Sequence, residues 1–201
     1  MKIYLARHGQ SRWQVERGED DRNSPLTPLG HQQARRLGAW LGNGYHLDNG
    51  SHLDIQAVYA SPLQRARETA VYTTTALALP LTILNPLIEA TFLVSQHLPS
   101  AEHPAKPPPP FSPSSDYAAF KNQAQTALER LVDEAGQQGG PILAFAHGGL
   151  ISTLLRIAAG SDAVSFWIYN TSLNLIEWKR GRWHFVFLNL WDHLPPEMRT
   201  Y

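Results

Sequence analysis

Short apolar runs that end at a turn signal recur along the chain. The run Ile3 to Ala6 ends at Arg7-His8-Gly9, and the run Ile142 to Ala146 ends at His147-Gly148-Gly149. Runs of four or five apolar residues with such boundaries are typical of strands that are buried on both faces of a parallel sheet. Two more strands are predicted in the same way, at 55–60 and at 81–84.

Helical periodicity follows the predicted strands. Thr27-Pro28 supplies an N-cap and a proline at the first helical position of a helix that we expect to end at Gly42 and Gly44. Its apolar face is formed by Gly30, Ala34, Leu37 and Leu41. Ser61-Pro62-Leu63-Gln64 has the form of a capping box, which predicts a helix with Arg65 in its first turn. The other predicted helices run from Ser115 to Gly136 and from Gly148 to Ala159.

The carboxyl-terminal part of the chain has the alternation of a β-hairpin. Trp183, Phe185 and Phe187 alternate with other residues and pair with Leu173 and Leu175 across a turn at Arg180-Gly181. Together with the alternating strands and helices before it, this pattern predicts an α/β fold. We expect a three-layer α/β/α sandwich whose central sheet is mostly parallel and carries an antiparallel edge hairpin.

The length of 201 residues and the 43% apolar content predict one domain over residues 1–201. The polar segment 12–24 is typical of a surface loop. Prolines at 99, 104, 107 to 110 and 113 make residues 91–115 stiff and irregular. We interpret this segment either as a lid or cap over a ligand site or as a plain surface excursion.

The balance of charge limits the classes of partner. Seventeen basic and seventeen acidic residues cancel, which argues against a general nucleic-acid or anionic-membrane binder. No apolar segment approaches the length of a membrane span, and the apolar run before Arg7 is too short for a signal peptide. The chain has no cysteine, which excludes disulfides and thiolate zinc sites and suits the cytoplasm. We therefore expect a cytoplasmic protein whose attraction for anions is local.

The candidate catalytic residues follow the ends of the predicted strands. Arg7 and His8 follow the first strand, His147 follows the strand at 142–146, and Arg65 lies in the first turn of a helix that directly follows a strand. In open α/β sheets, ligands bind in the crevice outside the carboxyl ends of the strands. We expect these four side chains to face one crevice.

These blocks resemble the histidine phosphatase superfamily, also called the phosphoglycerate mutase-like family. Arg7-His8-Gly9 resembles the signature of the family, and Ser61 to Ala66 with Thr69-Ala70 resembles its second arginine block. Further matches are Ala146-His147-Gly148-Gly149, Pro25-Leu26-Thr27, Gly30, Gln33-Ala34 and the end from Asn170 to Leu194. The blocks follow the order of the family over nearly the whole chain. The resemblance implies a phosphoglycerate mutase-like fold and phosphoryl chemistry.

The resemblance implies that His8 is a nucleophile. An imidazole is largely unprotonated near neutral pH, so one ring nitrogen of His8 would attack phosphorus while a backbone carbonyl holds the other. Arg7 and Arg65 would bind the nonbridging oxygens, and their charge would lower the pKa of His8. His147, protonated beside a dianionic phosphate, would donate to the transferring group, and Gly148 would let backbone amides approach the anion. No metal and no cofactor are expected, because these groups supply the positive charge.

A general acid is also needed, because an alkoxide leaving group must receive a proton. In the family this acid lies on the loop after the third strand, and Glu89 matches it by position. Many relatives continue into a Gly-x-Trp-Glu-Gly segment, whereas this chain continues with Ala90 to Ser95. Gln14 stands where an asparagine near the phosphate is common, and its longer amide can still donate.

The leading hypothesis is a metal-independent phosphoric monoester hydrolase that acts on small phosphomonoesters through a phosphohistidine on His8. Two alternatives stay open: phosphoglycerate mutase-type phosphoryl transfer, and a binding module for phosphorylated ligands without activity. An esterase is disfavoured because no Gly-x-Ser-x-Gly nucleophile elbow accompanies His147-Gly148-Gly149. The expected partner is a small-molecule phosphoester, with no nucleic acid and no membrane, and the oligomeric state is left open.

Overall fold

The computed structural model describes residues 1–16, 22–43, 53–106 and 108–201. Its strands are β1 Lys2–Arg7, β2 Ala57–Ala60, β3 Leu81–Ile83, β4 Ile142–Ala146, β5 Leu173–Lys179 and β6 Arg182–Leu190. Its α-helices are α1 Arg12–Glu16, α2 Pro28–Gly42, α3 Gln64–Leu77, α4 Ser115–Gln138 and α5 Gly148–Ala159. Short 3-10 helices span Asn85–Leu87, Val94–His97 and Pro196–Met198.

The six strands form one mixed sheet in the order β3-β2-β4-β1-β5-β6. β1, β2, β3 and β4 pair in parallel, whereas β5 is antiparallel to both β1 and β6. Arg180 and Gly181 at the β5–β6 turn both have positive φ, which matches the right-handed twist of a tight hairpin. The predicted fold class is confirmed, including the antiparallel hairpin at the sheet edge.

Alternating side chains of the central strands feed two separate cores. Ile3 and Leu5 of β1 point into a cluster that contains the apolar faces of α4 and α5. Tyr4 and Ala6 point into a second cluster, which contains residues of α2 and α3. Because the period of a strand is two, this alternation places helices on both faces of the sheet. The apolar runs of β1 and β4 are buried on both sides, as predicted, whereas Thr82 and Ile83 of the edge strand β3 are exposed, which corrects the prediction for that strand.

The start of α3 differs from the predicted capping box. The N-cap is Leu63, whose side chain makes no capping hydrogen bond, and the helix begins at Gln64. Ser61 instead directly follows β2 and continues its pairing with β4, because its N–H donates to the Phe145 carbonyl at 2.9 Å. Arg65 nevertheless lies in the first turn, as predicted, because the error shifts only the cap.

The bounds of α4 also correct the prediction. Its N-cap is Ser114, whose hydroxyl accepts from the Tyr117 N–H, so the helix starts at Ser115, one residue earlier than a Ser115 cap requires. Gly136 lies inside the helix, which continues to Gln138 and ends at Gly139 with φ +67°. A glycine marks a helix end where the backbone turns left-handed, and Gly136 does not do so.

Two loop predictions are changed in part. Residues 12–16 form the short helix α1 rather than a loop, and residues 17–21 lie outside the described residues, as does Gly44. The proline-rich segment is packed onto α4: the Phe111 ring lies 6.3 Å from Tyr117, and Val94 is buried. The use of this segment as a lid remains a prediction.

None of the helices in the described ranges has the length and apolar character that a membrane crossing requires.

Candidate active site

Two neighbouring central strands bring the predicted histidines together. β1 and β4 are parallel, with Arg7 opposite Ala146, and the His8 N–H donates to the Ala146 carbonyl at 3.0 Å. His8 and His147 therefore follow adjacent strand ends, and their ring centroids are 5.1 Å apart. Both side chains are buried. Both imidazoles thus lie together at the carboxyl edge of the sheet.

Arg65 reaches the same place from the first turn of α3. Its Nε–H donates to Nε2 of His8 at 3.1 Å, and its Nη1 donates to the Arg22 carbonyl at 2.7 Å. The side chain is 7% exposed, so this guanidinium charge is held in a desolvated position next to His8.

The hydrogen bonds of His8 determine its tautomer. Nδ1 lies 2.7 Å from the Gly9 carbonyl, which only accepts, and Nε2 lies 3.1 Å from Arg65 Nε–H, which only donates. Nδ1 must therefore carry the proton, and Nε2 presents a lone pair. A backbone carbonyl holds one ring nitrogen of His8, as the resemblance implies.

The surroundings of His8 favour its neutral form. Burial lowers the pKa of His8 well below its usual value, and the charges of Arg65 and Arg7 lower it further, as would a proton on His147. The bond to the Gly9 carbonyl opposes this shift without reversing it. The lone pair on Nε2 is consequently available at neutral pH, which is the state that nucleophilic attack requires.

His147 is held by a residue that was predicted to have another role. Its Nε2 lies 2.7 Å from the hydroxyl oxygen of Ser61, and its buried Nδ1 has no hydrogen-bond partner among the described residues. Burial lowers the pKa of His147 well below its usual value, and Arg65 and Arg7 lower it further. The ring is therefore neutral without an anion. Its protonation beside a phosphate dianion remains a prediction.

Arg7 presents a second unsatisfied donor. Its Nη1 donates to the Ile168 carbonyl and its guanidinium lies over the ring of Tyr201, 5.3 Å from the centroid. Its buried Nε has no partner within the described part of the chain. Buried polar atoms are rarely left unsatisfied, and His147 Nδ1 is a donor in the tautomer whose Nε2 accepts from Ser61, so Arg7 Nε and His147 Nδ1 are suited to an acceptor such as a phosphate oxygen.

Glu89 lies next to this group, at the amino terminus of α5. Its Oε2 accepts from the Gly149 N–H at 2.9 Å and its Oε1 from the Ala90 N–H at 3.0 Å. Burial raises the pKa of Glu89, whereas these two bonds and the charges of Arg65 and Arg7 oppose the rise. A carboxyl group with a raised pKa can hold a proton for transfer at near-neutral pH.

The glycines beside the site allow close approach. A Cβ at Gly149 would lie 2.6 Å from Glu89 Oε1, so the carboxylate fits only against a glycine. A Cβ at Gly148 would lie 3.4 Å from Cζ of Arg7, and a Cβ at Gly9 would lie 2.6 Å from the Gly30 carbonyl oxygen. Gly148 is the first residue of α5, where helix N–H groups lack intrahelical partners and favour anions.

Gln14 is placed in a network of buried amides behind His8. Its Nε2 donates to Asn170 Oδ1 at 3.0 Å, and its Oε1 accepts from the Ser11 N–H at 3.0 Å. The Asn170 side chain also donates to the His8 carbonyl at 2.8 Å. Among the described residues the Gln14 amide uses one of its two N–H groups, and its contact with phosphate remains a prediction.

Sequence reasoning missed three residues that hold the site. Ser61 contacts His147, Asn170 contacts the His8 carbonyl, and the Thr69 hydroxyl accepts from the Gly9 N–H at 3.0 Å. A signal existed for Ser61, since it is a polar residue directly after a strand and ends at the same sheet edge as His147. Thr69 and Asn170 stand in the blocks that resemble the family, but their contacts span 60 and 162 positions of the chain, so the pattern marked the residues without indicating what they hold.

No cluster of three His, Asp or Glu side chains in the described ranges is placed to hold a metal ion. The charged groups near His8 that carry a permanent positive charge are the guanidiniums of Arg7 and Arg65.

Comparison with known sequences gives matches over most of the chain. A model of the histidine phosphatase superfamily (branch 1) matches residues 3–190. The bifunctional protein Rv2228c of Mycobacterium tuberculosis is 31% identical over 188 residues, which cover 87% of this chain and 48% of that protein. The chain thus spans about half the length of that relative. The uncharacterized phosphatase PhoE of Bacillus subtilis is 26% identical over 208 residues, which cover 96% of each protein.

Solved structures share the arrangement of strands and helices. YhfR of Bacillus stearothermophilus has a TM-score of 0.69 and 25% identity, and the match covers 96% of this chain and 98% of that chain. A phosphoserine phosphatase of Entamoeba histolytica, in complex with 3-phosphoglyceric acid, has a TM-score of 0.73 and 20% identity. The latter match covers 96% of this chain and 99% of that chain, so the fold is shared over nearly its whole length.

Proposed function

The chain belongs to the histidine phosphatase superfamily, and from that premise we propose that it hydrolyses small phosphomonoesters through a phosphohistidine formed on His8. The observation that carries the proposal is the pairing of a nucleophile with an anion site. His8 Nε2 presents a lone pair, and the unsatisfied donors Arg7 Nε and His147 Nδ1 lie in the same buried group.

In the first step, Nε2 of His8 attacks phosphorus and the bond from phosphorus to the ester oxygen breaks. Phosphoryl transfer is catalysed mainly by positioning and by charge stabilisation. Arg7, Arg65 and His147 would bind the nonbridging oxygens, and Arg65 would exchange its bond to Nε2 for a bond to phosphate. Glu89 would give its proton to the leaving oxygen, because an alkoxide is too basic to leave unassisted.

In the second step, water attacks the phosphohistidine. Glu89, ionised by the first step, would accept a proton from the water while the bond between phosphorus and Nε2 breaks. Inorganic phosphate and the lone pair of His8 are then restored, and Glu89 is protonated again. This cycle uses no metal, because the guanidiniums supply the charge on which phosphoryl transfer depends.

One variant and a chelator treatment test the proposal. His8→Ala should abolish phosphate release from p-nitrophenyl phosphate, and acid quench of the wild-type reaction with labelled substrate should trap acid-labile phosphate on His8. Full activity in the variant would refute the nucleophile assignment. Treatment with a chelator should leave turnover unchanged, and a loss that added metal restores would contradict the metal-independent cycle.

An assay with 3-phosphoglycerate separates hydrolysis from mutase activity. A mutase would return the phosphoryl group to the bound acid and yield 2-phosphoglycerate, whereas the proposed phosphatase yields glycerate and phosphate. A probable phosphoglycerate mutase, GpmB of Enterobacter sp., matches 35% of this chain at 37% identity, so the comparison is needed. If phosphorylated ligands bind without any turnover, the chain is a binding module instead.

A further inference from the structure

A cavity of about 260 Å³ adjoins Glu89 and is not used by the phosphate-binding group described above. This volume suits a small alcohol rather than a large ligand. The residues that give it chemical character are Glu89, Phe92, Asp116, Phe120 and Gln123, and these five define what we call the leaving-group cavity.

The position of this cavity follows from the proposed function, on which the inference rests. In an in-line transfer, the leaving oxygen lies opposite the nucleophile. The general acid must lie within hydrogen-bond reach of that oxygen. The rest of the alcohol therefore extends past Glu89, and the cavity that Glu89 lines is available to receive it.

The walls of the cavity are aromatic. The rings of Phe92 and Phe120 are 5.9 Å apart between centroids, with planes at 77°. The face of an aromatic ring carries negative potential and attracts cations, quaternary ammonium groups in particular. The half-buried Phe92 ring also lies 4.6 Å from the His97 ring, between centroids, so the ring surface open to a cation is the part that neither Phe120 nor His97 covers.

The polar groups of the cavity accept hydrogen bonds. Asp116 contributes a carboxylate from the first turn of α4. The side-chain amide of Gln123 donates from Nε2 to the Pro86 carbonyl at 3.1 Å and to the Ile88 carbonyl at 2.8 Å. Both of its N–H groups are therefore used, and its carbonyl oxygen is what it can offer a ligand.

The guanidinium of Arg22 reaches the rim of the cavity, where it donates to the Thr91 carbonyl at 3.1 Å.

We propose that the leaving-group cavity binds the ammonium-bearing part of an amino-alcohol phosphomonoester. The cation would lie against the ring of Phe92, with the carboxylate of Asp116 beside it. The same two features disfavour an alcohol that carries only a carboxylate, such as glycerate, because that group would face the ring of Phe92 and the carboxylate of Asp116.

Matched ligands test this proposal through binding alone. Phosphocholine and 3,3-dimethylbutyl phosphate have the same shape, but the second has carbon in place of the charged nitrogen. Titration calorimetry with the His8→Ala variant measures both affinities without turnover. We expect phosphocholine to bind about tenfold more tightly, the gain of a partly desolvated cation–π contact with a carboxylate nearby. Equal affinity for the two ligands would overturn the proposal.

Variants in the same His8→Ala background locate the preference. Asp116→Asn should reduce it about threefold, as expected for loss of an exposed ion pair, and Phe92→Leu should reduce it by a similar factor while keeping the wall apolar. Asp133→Asn removes an exposed carboxylate from the same helix and should leave it unchanged. A preference that survives both cavity variants, in protein whose thermal unfolding is unaltered, would place the cation elsewhere.

A second pair of ligands tests the effect of an added carboxylate. Phosphoserine differs from phosphoethanolamine by one carboxylate, and we expect it to bind more weakly to the His8→Ala variant. Tighter binding of phosphoserine would mean that Arg22 dominates the rim and would overturn the assignment. Hydrolysis of p-nitrophenyl phosphate by the wild type tests the proposed function separately, because this substrate has no cation to recognise.

Discussion

Replacement of Glu89 by glutamine removes a titratable proton while keeping the size of the side chain. Its carboxylate accepts from two backbone N–H groups, at Gly149 and Ala90. A glutamine retains an acceptor oxygen for one of these bonds and turns its NH2 group toward the other N–H, so one bond is lost while the size of the side chain is kept. The loss that remains is the proton that the leaving oxygen needs.

The size of the effect should depend on the leaving group. General acid catalysis contributes roughly 10²- to 10⁴-fold. For an alkyl phosphate, whose alkoxide is strongly basic, Glu89→Gln should lower kcat by about that factor. For p-nitrophenyl phosphate, whose phenolate leaves without protonation, the loss should stay below about tenfold, because the phosphate-binding groups are unchanged.

The pH dependence of kcat gives a second readout. Glu89 must be protonated to act as an acid, and burial raises its pKa above the usual value. Activity toward alkyl phosphates should therefore be highest below this raised pKa and decline as pH rises through it. This decline should vanish in Glu89→Gln. The result should be partly reproduced by Gly149→Ala, whose Cβ would lie 2.6 Å from Glu89 Oε1 and displace the carboxylate.

The assay compares kcat for an alkyl phosphate and for p-nitrophenyl phosphate across pH. Glu129→Gln serves as a matched control, because Glu129 is exposed on α4 and contacts Gln125 on the same helix. Equal losses on both substrates would refute the acid assignment. They would indicate that Glu89 acts by holding the start of α5.

Three further predictions concern the nucleophile, its partner and a helix end. Burial and nearby positive charge lower the pKa of His8 well below its usual value, so its ring resonances in NMR should show no titration between about pH 5 and pH 8; a transition there that is absent from His8→Ala would contradict the assignment. Ser61→Ala removes the bond to His147 and should lower kcat about tenfold with little change in KM, because this bond orients a ring that acts on the transferring phosphoryl group. An unchanged kcat would show that Ser61 does not position the ring. Gly136→Ala, inside α4, should raise the free energy of unfolding by roughly 1 kcal/mol, whereas Gly139→Ala, at φ +67°, should lower it by about as much. If urea unfolding gives the opposite signs, the helix ends at Gly136.

The sequence was most informative where burial and a turn residue coincide. The strand at Ile142–Ala146 and the helix at Gly148–Ala159 have the predicted bounds, because an unbroken apolar run ends abruptly at His147 and two glycines. The same logic located Arg7 and His8 at the end of β1. These features depend on local chemistry, so one stretch of sequence is enough to reveal them.

The predictions failed where a local sequence pattern was overridden by the surrounding fold. Ser61 matches a capping box by pattern, but its hydroxyl is used by His147, which lies 86 positions away in the chain. Gly136 matches a helix end, but nothing in the fold required α4 to stop there, and it continues to Gly139. Choices of this kind are decided by tertiary contacts, which outweigh local preferences of about 1 kcal/mol.

Glu89 and the two histidines are held by different parts of the sheet. His8 and His147 follow β1 and β4, which have a strand on each side, whereas Glu89 follows β3, which is at the sheet edge. Edge elements open in local fluctuations that leave the centre intact. Mild denaturant would therefore detach Glu89 first and produce a partially opened form that still cleaves activated esters but no longer cleaves unactivated ones. The ratio of activity on unactivated esters to activity on activated esters would then show whether the edge of the sheet has opened while its centre is still folded.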